Sequence, residues 1–204
     1  MNITEAEKSL RDSANSLSPW KLAHVIFLTD RIPVMRDWYI RVLNAEVAFE
    51  NANLCFLRYD DEHHRIGFIG ATGMQPLPNG PSYVMDHYAF TYRGLGELLG
   101  TYLRLRDLGI EPYWTINHGP TTSIYYKDPD GHRIELQVDN FDESECEQFF
   151  ASGNYDENPI GVNFDPDEWI RRYSEGEPVK ELTKRPTLPP DVNAFDMVPQ
   201  AHIS

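Results

Sequence analysis

LAHVIF at positions 22–27 recurs in altered form as MDHYAF at positions 85–90. Both are short runs rich in residues that favour β-strands, and each has a histidine in its third position, His24 and His87. Each run precedes a stretch whose apolar side chains recur at helical spacing, residues 32–43 in the first half and residues 95–108 in the second. The same strand-then-helix pattern occurs twice, which indicates an internal repeat.

Three strand-like runs follow each helix. They are residues 46–50, 54–59 and 65–69 in the first half, and residues 112–116, 123–127 and 133–138 in the second. The last runs also match, because HRIGF at 64–68 parallels HRIEL at 132–136. The first strands lie 63 residues apart and the last strands lie 68 apart, a difference that loop length would absorb. The sequence therefore predicts an α+β fold of two βαβββ modules, about residues 20–70 and 83–140.

The two ends of the chain belong to neither module. Residues 1–19 are predicted to form an N-terminal arm and residues 141–204 a C-terminal extension. Within the extension, residues 145–151 and 166–173 have the pattern of short helices. Beyond residue 177 the chain is rich in proline, so we expect an extended arm. It would lie over the domain or against a second subunit, and we expect a homo-oligomer.

Composition and charge disfavour several classes of function. The net charge of −14 disfavours nucleic acid binding, which needs Lys and Arg to displace counterions from phosphates. The longest apolar runs are too short to span a bilayer, and the first twenty residues lack the apolar centre of a signal peptide. Cys55 and Cys146 are too few for a disulfide framework and form no CxxC pair. We therefore expect a cytoplasmic protein without a membrane or nucleic acid partner.

Three residues are candidate metal ligands. His24 and His87 hold equivalent positions in the repeat, and duplicated halves bring equivalent residues near a common axis. Glu135 breaks the apolar alternation of its strand, so it faces away from the packing surface and needs a partner. Its counterpart in the first half is Gly67, which cannot ligate. Two imidazoles and one carboxylate form the facial triad that leaves open positions on non-haem Fe(II).

Three further residues have side chains suited to acid–base chemistry: His64, His118 and Tyr125. His118 lies in a loop before a Gly-Pro pair, and Tyr125 lies opposite Glu135 if the strands joined by the DPDG turn at 128–131 pair symmetrically. Each also has an ordinary structural explanation, as a strand-edge, turn or strand residue. The other histidines, His63, His132 and His202, are assigned no role in a site.

The stretch from His118-Gly119 to YYKDPDGHRIE at 125–135 resembles a known family. It is similar to type I extradiol (catechol meta-cleaving) dioxygenases of the vicinal-oxygen-chelate superfamily, in a single-domain form that covers residues 20–140. The resemblance implies an incomplete barrel around one metal ion, Fe(II) or alternatively Mn(II), held by His24, His87 and Glu135. The interval from His118 to Tyr125 is shorter than in the two-domain members, and the loop between His64 and His87 is longer. These departures bear on the pose of His118 and on the pocket shape.

The resemblance also implies a reaction. An aromatic diol of the catechol type and dioxygen would be the substrates, and the ring would open beside the diol to a muconic-semialdehyde-type product. In that scheme His118 accepts a proton from the substrate and Tyr125 orients the substrate oxygen. His64 matches the family histidine that acts on oxygen species and returns a proton.

Two alternatives share this fold. A metal-dependent isomerase, epimerase or thiol transferase would need a fourth ligand near Gly67, which the sequence lacks. A metal-free binding protein of the antibiotic-resistance type would leave both residue sets as coincidence. A yellow ring-opened product from a catechol, ferrous iron and air would be expected of the dioxygenase alone.

Overall fold

The fold consists of two modules of identical order, within residues 18–75 and 85–203 that the computed structural model describes. The first module comprises β1 (Val25–Thr29), α1 (Ile32–Leu43), β2 (Glu46–Glu50), β3 (Leu54–Arg58) and β4 (Ile66–Gly70). The second comprises β5 (His87–Tyr92), α2 (Leu95–Asp107), β6 (Trp114–Asn117), β7 (Thr121–Lys127) and β8 (Arg133–Asp139). The predicted α+β class and the βαβββ order are confirmed. Residues 1–17 of the predicted arm and residues 83–84 of the predicted second module lie outside the described part.

Each module forms one mixed sheet with the same strand order. The first sheet runs β1-β4-β3-β2 and the second β5-β8-β7-β6, with β9 (Val162–Asn163) of the extension added beside β6. The first and last strands of each module are parallel, and Ile26 pairs with Gly67 as Ala89 pairs with Glu135. The offsets of 63 and 68 residues are therefore both correct, and the intervening segments absorb the difference. The two sheets remain separate, as expected of an incomplete barrel.

One apolar core joins the two modules. On β8, Ile134 and Leu136 are buried in this core, and the alternation of a strand places Glu135 on the opposite face. Phe27 of β1 contacts Tyr88 of β5, with 5.4 Å between ring centroids. The helices supply much of the remaining core, through side chains that include Met35, Tyr39, Val42, Leu98 and Leu105. Each fully buried aliphatic or aromatic side chain contributes about 1.5–3 kcal/mol.

The C-terminal extension packs on the second module. It comprises α3 (Glu143–Ala151), α4 (Asn154–Glu157), β9, α5 (Pro166–Ser174), α6 (Val179–Leu182), a 3₁₀ turn (Ala194–Met197) and α7 (Gln200–Ile203). Asn117 Nδ2 donates a hydrogen bond to the Thr183 carbonyl, at 2.6 Å, and Arg185 donates to the His118 carbonyl, at 3.0 Å. The segment beyond residue 177 therefore packs on the second module, one of the two expected placements. Short helices interrupt the arm that we expected to be extended.

Two helices of the extension begin at capping residues. α3 starts with a capping box in which Asp142 and Glu145 satisfy each other's backbone amides. α5 starts with Pro166 after its cap Asp165, as its sequence pattern predicts. Among the helices of residues 18–75 and 85–203, none combines the length and apolar character that crossing a bilayer requires.

Candidate active site

A buried carboxylate faces an imidazole on the sheet of the second module. Glu135 of β8 is only 5% exposed, and its Oε2 lies 3.0 Å from Nε2 of His87, the first residue of β5. Asp86 contacts the other ring nitrogen, with 2.6 Å between its Oδ1 and His87 Nδ1. Glu135 is thus paired across two parallel strands, and His87 is held on both sides.

The two groups shift each other's pKa in opposite directions. The hydrogen bond to Glu135 raises the pKa of His87 to about 9, with a further contribution from Asp86. For Glu135, burial alone would raise the pKa, but hydrogen bonds with His87 and Ser123 outweigh it and the pKa is lowered. One proton therefore lies between a carboxylate oxygen and an imidazole nitrogen.

Tyr125 and His118 form a second pair beside the first. Tyr125 is directly opposite Glu135 in the antiparallel pairing of β7 and β8, and is 2% exposed. Its hydroxyl lies 3.2 Å from His118 Nε2, and His118 Nδ1 donates to the Ile160 carbonyl. Because a carbonyl only accepts, Nδ1 carries the proton and Nε2 presents a lone pair to the hydroxyl. Burial lowers the pKa of His118 and raises that of Tyr125.

The candidate residues of the first module form a separate group. His24 lies immediately before β1 and is exposed, and its ring stacks on His64 with 4.4 Å between centroids. His64 stacks on Phe56 on its other side, at 4.5 Å, and burial lowers its pKa, with His24 and His63 adding to the effect.

The structure therefore brings the six candidates together as two groups. Among the described residues, no set of three His, Cys, Asp or Glu side chains has the arrangement of a metal site. His87, Glu135, His118 and Tyr125 lie together, and His24 with His64 lies on the other module. The complete three-ligand set stays a prediction.

His202, which the sequence assigns to no site, lies against the second-module group. Its ring packs on Trp114, with 4.8 Å between centroids, and meets Tyr125 edge-on at 5.9 Å. Its Nδ1 is 3.0 Å from the Tyr113 hydroxyl, and its Nε2 is 3.3 Å from Asp86 Oδ1. No spacing in the sequence links His202 to these residues, because a long proline-rich segment separates it from the two modules.

Comparison with known proteins identifies the family. The family model described as "Glyoxalase/Bleomycin resistance protein/Dioxygenase superfamily" matches residues 21–136. This chain belongs to that superfamily. Two similar curated proteins of Rhodococcus globerulus are named "Biphenyl-2,3-diol 1,2-dioxygenase 2" and "Biphenyl-2,3-diol 1,2-dioxygenase 3". The first is 46% identical over 80% of this chain and 86% of its own length, and the second is 44% identical over 81% and 88%.

One solved structure similar to this chain is a glyoxalase/bleomycin resistance protein/dioxygenase from Nocardioides. It aligns with a TM-score of 0.49 and 19% identity, covering 66% of this chain and 93% of that chain. The family resemblance inferred from the sequence motifs is confirmed by the family model and the curated relatives.

The residues of this superfamily domain fit a divalent cation at the Glu135–His87 pair. A carboxylate and an imidazole nitrogen face each other there, and a cation would take the place of the shared proton. Asp86 accepts the Nδ1 proton of His87, which leaves Nε2 as the ligating atom, the usual arrangement for metal-bound histidine. The corresponding position of the first module is Gly67, so it offers no further carboxylate. That is the position at which the isomerase alternative needs its fourth ligand.

Proposed function

We propose that this superfamily member is a metal-dependent extradiol dioxygenase that opens the ring of an aromatic vicinal diol with dioxygen. The two Rhodococcus relatives, at 44% and 46% identity over four fifths of the chain, confirm the ring-cleaving activity predicted from the sequence. The names of these relatives, which specify biphenyl-2,3-diol, support an aromatic vicinal diol as the substrate class. A catechol-type diol of this kind is the substrate that we propose.

The metal is proposed to be Fe(II), with Mn(II) as the alternative, bound by His24, His87 and Glu135. Extradiol dioxygenases of this superfamily are metal-dependent, and the ion supplies the site at which the diol and dioxygen meet. The observation that carries the proposal is the buried Glu135–His87 pair beside the Tyr125–His118 pair. His24 would join the first pair across the gap between the sheets, since its position is equivalent to that of His87.

His118 is proposed to accept the proton of a substrate hydroxyl. Its Nδ1 proton is engaged by the Ile160 carbonyl, so Nε2 is the free base and faces the Tyr125 hydroxyl. Burial lowers its pKa, which keeps the imidazole neutral and able to accept a proton at neutral pH. Tyr125, whose pKa is raised by burial, keeps its hydroxyl proton. On substrate binding the hydrogen bond of this hydroxyl would turn from His118 Nε2 to the substrate oxygen, which frees Nε2 to accept a proton.

His64 is proposed to return a proton later in the reaction. Its ring is clamped between Phe56 and His24, so its orientation is fixed. Burial lowers its pKa, which makes the protonated imidazole a stronger acid and so favours release of a proton that the ring has taken up earlier in the reaction.

A ring-opening assay tests the proposal. Apoprotein would be loaded anaerobically with Fe(II), mixed with biphenyl-2,3-diol in air, and followed by visible absorbance for a yellow product. Glu135→Gln should abolish the signal, because an amide lacks the charge that balances the cation. Glu147→Gln, a matched change at an exposed glutamate of α3, should leave it intact. Absence of product from iron-loaded wild type across a panel of catechols would refute the dioxygenase assignment.

A further inference from the structure

The C-terminal helix α7 carries His202, which reaches the second module's site from far along the chain and shares the Asp86 carboxylate with His87. Asp86 Oδ1 lies 2.6 Å from His87 Nδ1 and 3.3 Å from His202 Nε2. The other oxygen, Oδ2, accepts from Arg133 at 3.2 Å. Asp86 precedes β5 and is exposed, so these contacts are what fix its carboxylate among the described residues.

Contacts with three side chains hold the His202 ring. Nε2 of His202 faces Asp86 Oδ1 across 3.3 Å, a contact that favours a protonated Nε2 because a carboxylate offers only acceptor atoms. Nδ1 and the Tyr113 hydroxyl are hydrogen-bonded at 3.0 Å, and in the tautomer with Nε2 protonated Nδ1 is the acceptor. Trp114 packs against the ring, with 4.8 Å between centroids. His202 is therefore held from three directions.

We propose that His202 is a positioning residue, which acts through Asp86 on the orientation of the His87 imidazole. The inference rests on the proposed function, in which His87 binds the metal. Asp86 sets which nitrogen of His87 carries the proton, and His202 sets where the Asp86 carboxylate lies. The C-terminal segment thereby adds a side chain to a site whose proposed metal ligands and acid–base residues all lie in the two modules.

Mn(II) titration of the full-length apoprotein tests this inference without using activity. The free-ion electron paramagnetic resonance signal gives the dissociation constant. His202→Phe keeps a ring against Trp114 but removes the donor, and should weaken Mn(II) binding about 10-fold, the lower end of losses for outer partners of metal ligands. His202→Gln retains a donor and should stay within about threefold of wild type. Gln200→Phe, on the same helix, is the matched control.

The outcomes separate the two proposals. Equal dissociation constants for wild type and His202→Phe would overturn the positioning role and leave the metal site standing. Equal losses in His202→Phe and His202→Gln would also overturn it, because the polar contact with Asp86 would then not matter. If wild type binds no Mn(II) or Fe(II), the proposed metal centre fails and the positioning role fails with it. Thermal unfolding of each variant shows whether it is folded.

Discussion

The two modules share a row of four paired strand positions but fill it differently. In the first module the row is Ile26, Gly67, Phe56 and Phe49, and in the second it is Ala89, Glu135, Tyr125 and Trp114. The first row has no ionisable side chain, whereas the second has a buried carboxylate and a phenol. Of the two equivalent rows, only the one in the second module therefore carries a carboxylate.

The sizes of two paired residues are exchanged between the modules. Small Gly67 pairs with large Ile26 in the first module, and large Glu135 pairs with small Ala89 in the second. A Cβ added at Gly67 would collide with Ile26 Cδ1 and lie 3.0 Å from Phe56 Cδ1. In the second module the small Ala89 stands beside Glu135. The space that the Glu135 side chain fills in the second module is filled by the Ile26 side chain in the first. The cost of burying a charged group is thus incurred in one module only.

The equivalent histidines His64 and His132 have different partners. His132 Nδ1 lies 2.9 Å from Asp128 Oδ2, and its ring lies 4.8 Å from that of Phe27 in the core. His64 instead stacks between Phe56 and His24. Asp128 belongs to the DPDG turn, which the first module lacks. A shared sequence position therefore does not guarantee a shared role.

The largest effect is expected from replacing the equivalent histidines of the two modules. His24 lies immediately before β1, and His87 is the first residue of β5. His24→Ala and His87→Ala should each reduce bound Fe(II) and ring-opening activity by more than about 100-fold, beyond the range for outer partners. Metal analysis after desalting and the absorbance assay measure both. Glu147→Ala, at an exposed position of α3, is the control. Wild-type metal content in His24→Ala would mean that the second module binds the metal without the first.

The next largest effect should distinguish the role of His64 from that of His132, its counterpart in the second module. His64→Phe should lower kcat by about 10²–10⁴-fold, the usual contribution of an acid–base group, with bound iron nearly unchanged. His132→Phe should instead lower the free energy of unfolding by about 1–3 kcal/mol, because Asp128 loses a buried partner. Steady-state kinetics and denaturant unfolding distinguish the two. Loss of iron from His64→Phe would contradict its assigned role.

Removing the metal should lower the stability of the folded protein, and this loss should depend on Glu135. At a free metal concentration of about 100 times the dissociation constant, binding stabilises the folded state by about 2.7 kcal/mol. Chelation should therefore lower the unfolding temperature of wild type. Glu135→Gln should show no such difference between metal-treated and chelated samples. A metal-dependent shift that persists in Glu135→Gln would place the binding site elsewhere.

The smallest effect is expected from a change that tests whether the side chains at positions 26 and 67 compete for the same space. Gly67→Ala should destabilise the protein by about 1 kcal/mol, the low end for overpacking, because the added methyl group displaces the flexible end of Ile26 and crowds Phe56. The same change in an Ile26→Ala background should cost much less, so a double-mutant cycle should show coupling. Denaturant unfolding measures all four proteins. Additive effects would show that the two positions do not compete for space.

Much of the fold could be predicted because its signals are local. The alternation around Glu135 placed that side chain opposite the core, and the DPDG turn predicted its pairing with Tyr125. The repeat predicted the equivalence of Gly67 and Glu135, and the strand register confirms it. These inferences needed only strand period, turn chemistry and spacing.

The rest could not be predicted, because it depends on contacts between distant segments. His202 gave no sequence signal, and its place against Asp86 follows from the path of the extension over the second module. The contrast between His64 and His132 depends on which partners packing brings near each ring. The approach of His24 to the Glu135–His87 pair stays a prediction for the same reason.

Local backbone geometry and apolar alternation suffice to specify the duplicated βαβββ order, the equivalence of its strands and the residues able to carry chemistry, so the amino-acid sequence alone was enough for these. Which of those side chains meet depends on how the strands and the extension pack in space. The contacts of His87 with Glu135 and of His202 with Asp86 therefore emerged from the three-dimensional arrangement.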